Sequence, residues 1–190
     1  RRQRQMCIRD SFYTTHPNED PIKVIKKMKQ TDNFKFDEAN VMNELVYRNL
    51  SEDAKRQICA WKYGGEYDLY NLPSYEEMQV RQIGFMNPQR EKNYYGFWDE
   101  SILVGFVNIL EEKEEVFIGI GVNPDLCNKH YGQRMLLITY EISKKLYPNK
   151  PLYLEVRTWN IRAVKCYQKA GFRIDGQAYE LTTGIGTGTF

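Results

Sequence analysis

Residues Val122 to Leu137 read VNPDLCNKHYGQRMLL, a turn-forming loop that runs into an apolar-striped segment. The first turn of a helix carries unpaired N–H groups and about half a positive charge, so a loop delivering several amides there can hold a phosphate. Glycine eases such an approach, and this loop has one, Gly132. Lys129 and Arg134 either offset phosphate charge or are simply solvated. Two other side chains can move protons. Glu155, in PLYLEVR, alternates with Leu154 and Val156 and faces opposite to them. A carboxylate in a short apolar strand is costly unless it is used or paired, here with Arg157 or Lys165. Tyr167, in IRAVKCYQKA, falls three residues after Val164 on an inward helix face, where it is either a core tyrosine or a phenol aimed at a site.

The surrounding pattern supplies the elements that would position these groups. ELVYRNL is strand-like, and Ser51 followed by Glu52 and Asp53 caps a helix, SEDAKRQICAWKY. After the aromatic, turn-rich GGEYDLYNLP comes a second helix, SYEEMQVRQIGF. Three strands follow, EKNYYGFWD, ILVGFVNILEE and EVFIGIGV, with polar connections that suit an antiparallel meander. Met135, Ile138, Ile142 and Leu146 line one face of a third helix. PLYLEVR is a strand, Asn160 caps IRAVKCYQKA, Gly171 ends that helix, and FRIDGQAYELT is a strand. Strand, helix, strand, helix, strand implies right-handed crossovers between neighbouring parallel strands.

Two blocks carry a resemblance. VNPDLCNKHYGQRMLL resembles the V-x-P-x-x-(Q/R)-x-x-G-x-(G/A) signature of the GNAT family of N-acetyltransferases at Val122, Pro124 and Gly132, while Cys127 replaces the usual Gln or Arg and His130 the first glycine. LEVRTWNIRAVKCYQKAGF resembles the second signature, N-x-x-A-x-x-x-Y-x-K-x-G-F, at Asn160, Ala163, Tyr167, Lys169, Gly171 and Phe172. The resemblance spans roughly residues 44–190 and implies an α/β fold, a mixed central sheet with an antiparallel N-terminal meander and parallel, splayed central strands flanked by helices. It also implies acetyl-CoA as cosubstrate and a primary amine, of a small molecule or a protein, as acceptor, with direct attack in a ternary complex. Tyr167 would then be the general acid. Glu155 would be the base, with Glu115 as a weaker rival, and the Glu155 to Tyr167 spacing is similar to that of bacterial ribosomal-protein N-terminal acetyltransferases.

By the same resemblance, backbone groups of Ile120, Gly121 and Val122 would hold the pantetheine arm, one amide serving as an oxyanion donor. The backbone of Cys127, Asn128, Lys129, His130, Tyr131 and Gly132 would hold the pyrophosphate, the His130 side chain projecting away, and Asn160 would touch the cofactor. WKYGGEYDLYNLP would lie beside the acceptor channel, with its aromatics and Glu66 or Asp68 receiving a cationic amine unless the segment is a satellite core with a solvated rim. A non-catalytic acyl-CoA-binding module with the same fold is the alternative.

Composition bounds the rest. A chain of 190 residues, 42% hydrophobic and 14% aromatic, accommodates one globular domain. A net charge of +2 gives no electrostatic grip on nucleic acid or an anionic membrane. The apolar runs fall short of the ~20 residues a membrane helix needs, and no secretory leader follows the basic N-terminus. Four scattered cysteines without a C-x-x-C pair suit a cytoplasmic protein, and two histidines leave little for a metal site or a Ser-His-Asp triad. The Lys-Ser/Thr pair of a mononucleotide-binding P-loop is absent. Residues 1–41, opening RRQRQMCIRDS, read as a non-core extension or artefact that includes a short basic helix, PIKVIKKMKQ; the domain is expected over 42–190, its last strand cut short in TTGIGTGTF. Oligomeric state is not legible in the sequence.

Overall fold

The computed structural model describes residues 25–30, 45–179, 181–183 and 186–188. Strand β1 (Ile25–Gln30) is followed by β2 (Val46–Asn49), α1 (Glu52–Ala60), a 3-10 turn at Gly65–Tyr70 and α2 (Tyr75–Arg81). Next come β3 (Tyr94–Asp99), β4 (Ile102–Glu111), β5 (Val116–Val122), α3 (Tyr131–Leu146), β6 (Leu152–Arg157), α4 (Ile161–Lys169) and β7 (Phe172–Ile174). Two short strands, β8 (Leu181–Thr183) and β9 (Gly186–Gly188), form a separate antiparallel hairpin where a single shortened strand was expected. The helix starts follow the local chemistry: the Ser51 side chain accepts from the Ala54 amide at 3.2 Å, with Glu52 and Asp53 in the first turn of α1.

Seven strands form one mixed sheet in the order β2-β3-β4-β5-β6-β1-β7. β3 to β5 are the expected antiparallel meander, β2 adds antiparallel to β3, and β5 and β6 are parallel, joined through α3. Alternation along the strands sends side chains into two cores. Val104, Val107, Ile109, Val116, Ile118, Leu154 and Val156 pack with Met135, Leu136 and Ile142 of α3, and α4 lies on the same face. Leu103, Phe106, Tyr94 and Trp98 pack on the opposite face with Ala54, Ile58, Tyr75 and Met78 of α1 and α2. Leu146, read as the last residue of the α3 stripe, is the last residue of the helix and is 49% exposed.

The expectation that residues 1–41 stand outside the core fails for residues 25–30, and the basic helix expected there is a strand. β1 lies between β6 and β7, antiparallel to both, with five register partners from Ile25↔Arg157 to Lys29↔Tyr153 and three from Met28↔Ile174 to Gln30↔Phe172. Two facing strand edges need backbone partners, and satisfying both outweighs the local helical propensity of the lysines, methionine and glutamine in this segment. Met28 is fully buried in the α3 core, and Lys29 pairs with Glu115 at 2.7 Å and Asp175 at 3.2 Å. The remainder of 1–41 lies outside the described residues. The second expected crossover changes accordingly: β7 is not beside β6 but one strand further out. Truncating Met28 to Ala should cost about 2–5 kcal/mol of unfolding free energy in urea, as for other fully buried methionines. An unchanged denaturation midpoint would show that β1 contributes nothing to the folded domain.

Candidate functional site

β5 and β6 pair at only two positions, Val116↔Leu152 and Phe117↔Tyr153, and then diverge. The opening is a cavity of about 460 Å³, within the usual range for small-molecule sites. On its other edge β5 remains paired with β4 through Gly105↔Val122. The Asn123 amide donates to the Val104 carbonyl at 2.9 Å, which sets the phase of that ladder. In an antiparallel ladder the backbone groups of alternate residues point to opposite edges, so those of Ile118, Ile120 and Val122 face the cavity and those of Gly119 and Gly121 face β4. The Val122 carbonyl already accepts from the Tyr63 phenol at 2.6 Å. Gly121 thus contributes space rather than a hydrogen bond: a Cβ there would stand 2.5 Å from the Phe106 ring.

At one end of the cavity the first turn of α3 opens toward the loop. Asn128 and His130 both adopt left-handed backbone, with φ of 65° and 63°, and no side chain caps the helix. The Arg134 amide donates to the His130 carbonyl at 3.2 Å, so the amides of Tyr131, Gly132 and Gln133 precede the first intrahelical bond. The turn that glycine would make easily is made here by Asn and His. His130 is exposed and borders the cavity. Gly132 serves helix packing, since a Cβ would lie 3.1 Å from the Cys166 sulfur on α4. Arg134 is drawn to Asp99 at 3.8 Å, and the same carboxylate accepts from the Tyr131 phenol at 2.8 Å, pushing that phenol's pKa up.

Glu155 and Tyr167 both line the cavity, from β6 and α4. The Tyr179 phenol donates to the Glu155 carboxylate. Glu115 is held by Lys29 and is not among the lining residues, which removes the rival carboxylate from the site. Asn160 accepts from the Ala163 amide at 3.1 Å as the α4 cap, and donates to the Tyr70 phenol at 3.1 Å. Of the residues expected to hold a cofactor, Ile120, Gly121, Val122, Cys127, Asn128, His130, Tyr131, Gly132 and Asn160 line the cavity and Lys129 does not. Burial raises the thiol pKa of Cys127 and, to about 11, that of Cys166, so both are poor nucleophiles at neutral pH. Among the described residues, no group of His, Cys, Asp and Glu is arranged to hold a metal.

The far wall comes from the aromatic segment after α1. Trp61, Tyr63, Tyr70 and Leu72 line the cavity with Ile58 and Phe106, whereas Glu66 and Asp68 do not. Asn71 fastens the segment through hydrogen bonds to the Tyr63 amide, at 2.6 Å, and carbonyl, at 3.1 Å. Burial raises the phenol pKa of both Tyr63 and Tyr70. Tyr67, Tyr70 and Trp159 form a ring cluster with centroids 5.6–6.5 Å apart, and the Arg162 guanidinium sits 4.0 Å above the Tyr67 ring. Arg162 was missed in the sequence because an arginine on an amphipathic helix reads the same whether it faces water or a cavity. Its spacing from Lys165 and Lys169, which also line the cavity, was the available signal.

A model of the acetyltransferase (GNAT) family matches residues 55–172, more than half of the chain. No curated protein matches at the sequence level. A GNAT-family acetyltransferase from Colwellia psychrerythraea superposes with a TM-score of 0.61 at 12% identity, over 82% of this chain and 54% of that one, so this chain spans about half of that protein. A spermidine N-acetyltransferase chimera from Vibrio cholerae and hSSAT gives 0.60 at 19% identity, over 77% of this chain and 92% of that one. The aminoglycoside acetyltransferase AAC(6')-Ib, in complex with coenzyme A, gives 0.60 at 17% identity, over 75% and 90%. The chain belongs to the acetyltransferase (GNAT) family, and its mixed seven-stranded sheet flanked by helices is the GNAT fold.

The contact at Gly132 can be tested directly. Gly132→Val should destabilise the protein by about 1–3 kcal/mol through overpacking against Cys166. The cost should shrink in a Cys166→Ala background, and strict additivity in thermal unfolding would show that the two residues do not meet.

Proposed function

We propose that this family member is an acetyl-CoA-dependent N-acetyltransferase acting on a primary amine by direct attack in a ternary complex. The observation that carries the reading is the splay of β5 from β6, around which the open first turn of α3, outward-facing strand backbone, the Glu155 carboxylate and the Tyr167 phenol line a single cavity. That donor set fits the cosubstrate. The amides of Tyr131 to Gln133 suit a pyrophosphate, and the backbone of Ile118 and Ile120 suits the amides of a pantetheine arm. Bound there, acetyl-CoA supplies an activated acyl carbonyl.

Glu155 takes a proton from the acceptor ammonium, directly or through water, and leaves a neutral amine that can attack. Tyr167 gives its phenolic proton to the departing thiolate. An amine near the lysine reference of about 10.4 is almost wholly protonated at neutral pH, while an α-amine near 8 is much less so, so the base matters more for the first. The lining charges favour a particular acceptor. Glu155 is the carboxylate among the described lining residues, against Arg157, Arg162, Lys165 and Lys169. Such a wall repels polycations and accepts an amine carrying a single positive charge beside an aromatic surface. A peptide α-amine has that character, which agrees with the likeness of the Glu155 to Tyr167 spacing to ribosomal-protein N-terminal acetyltransferases. The cytoplasm is the setting we infer: Cys59, Cys127 and Cys166 are free thiols, and among the described residues no helix is long and apolar enough to cross a membrane.

Acetyl-CoA turnover on a panel of peptide α-amines, lysine peptides, polyamines and aminoglycosides is expected to favour the first class. Tyr167→Phe should lower kcat about 100-fold with little change in KM for acetyl-CoA; full activity would remove the tyrosine from the chemistry. Glu155→Gln should lose most at low pH and recover as pH rises toward the acceptor's own pKa, because above it the amine is already neutral. A loss independent of pH would mean a structural role. Tight calorimetric binding of CoA with no turnover on any amine would favour the non-catalytic module.

A further inference from the structure

Asn108 lies in the middle of β4, its Cα opposite Tyr94 on β3 and Gly119 on β5. It is fully buried, and among the described residues neither its amide oxygen nor its amide nitrogen has a hydrogen-bond partner. The buried Tyr94 phenol is in the same position. Buried polar groups without partners are costly, and in native proteins they call for a bound water or a functional use. By strand alternation Asn108 shares its face with Phe106, which lines the cavity. Phe117 opposes Tyr153, so two residues further along the same face Gly119 stands opposite Glu155, where the strands have parted. Tyr94, Asn108 and Gly119 therefore form one rung across β3, β4 and β5, with Glu155 on the same face beyond the gap; Gly119 and Glu155 line the cavity, and Asn108 stands behind Gly119. The neighbouring rung, Leu110, Phe117 and Tyr153, is filled by large side chains, and the Tyr153 phenol turns away to Glu112 at 2.7 Å.

We propose that Asn108 is a positioning residue: its amide holds a water over Gly119, and that water carries the acceptor's proton to Glu155. The inference rests on the reading of Glu155 as proton acceptor. In the step, the ammonium N–H passes its proton to the water as the water passes one to the carboxylate. The amine becomes neutral, the carboxylate becomes a carboxylic acid, and the water is regenerated. Asn108 fixes the direction of transfer by donating to the water oxygen and accepting from the hydrogen that does not move. The titratable and charged residues placed around Glu155 include Tyr179, which donates to it, Arg157, Lys165 and Tyr167, which line the same cavity, and Lys27, its register partner on β1.

The test is Asn108→Leu, an apolar side chain of similar size, with Asn108→Ala as a second variant should leucine overfill the rung and Asn108→Ser as the variant that keeps a water-binding hydroxyl. Asn108→Leu is expected to leave the melting temperature unchanged or raised, because a buried polar group without a protein partner is replaced by an apolar one, while kcat falls on the order of tenfold or more, mainly at low pH, with KM for acetyl-CoA unchanged. Serine should restore part of the rate, and the leucine variant should add little to Glu155→Gln. A raised or unchanged melting temperature with a wild-type pH–rate profile in both the leucine and alanine variants would overturn the proposal. If Glu155→Gln shifts the profile and the Asn108 variants do not, Asn108 alone loses its role. If Glu155→Gln leaves the profile untouched, the reading of Glu155 fails and the relay falls with it.

Discussion

The site depends on one failure of pairing. Parallel neighbours β5 and β6 share two register positions and then separate, and every feature of the cavity follows from that parting. Strand backbone left without a partner would ordinarily be a liability. Here both strands are secured on their outer edges, β5 by seven register partners on β4 and β6 by five on β1. The two halves of the sheet are therefore each complete, and the gap between them stays open without loss of either ladder. α3 and α4 bridge the gap on one face, where Gly132 lets them approach.

Because the gap runs through the sheet, the two faces bring different chemistry to it. The α3 face contributes a helix N-terminus and the outward backbone of β5, a surface of donors suited to an extended, anionic ligand. The opposite face contributes Phe106, Trp61, Tyr63 and Tyr70, with Glu155 at the edge of β6. Strand alternation alone sends Leu154 and Val156 into one core and Glu155 toward the other side, so the carboxylate meets the cavity without a special turn. β1 is the unexpected contributor. By pairing along β6 it makes the Glu155 strand interior to the sheet, and through Lys29 it removes Glu115 from competition.

Much of this was legible in local pattern. Ser51 and Asn160 are caps in the sequence and in the fold, and the meander, the third helix and the positions of Tyr167 and Glu155 follow from periodicity and motif spacing. The departure at His130 also proved informative, since His130 takes left-handed backbone of the kind that glycine adopts easily. Arg162 was not legible as a cavity residue, and the burial of Asn108 was not legible either, because each depends on neighbours from other elements. Nothing in GFVNIL distinguishes a buried asparagine from an exposed one until Gly119 and Tyr94 are laid beside it.

The sequence by itself determined what short-range chemistry can determine: which segments alternate, which residues cap helices, and where a carboxylate and a phenol recur at a family's spacing. Tertiary structure alone decided where β5 and β6 part, that β1 is a strand rather than a helix, and which carboxylate reaches the cavity. The physical reason is that strand pairing is non-local. A backbone edge takes whichever partner the rest of the fold leaves beside it, and no window of consecutive residues contains that information.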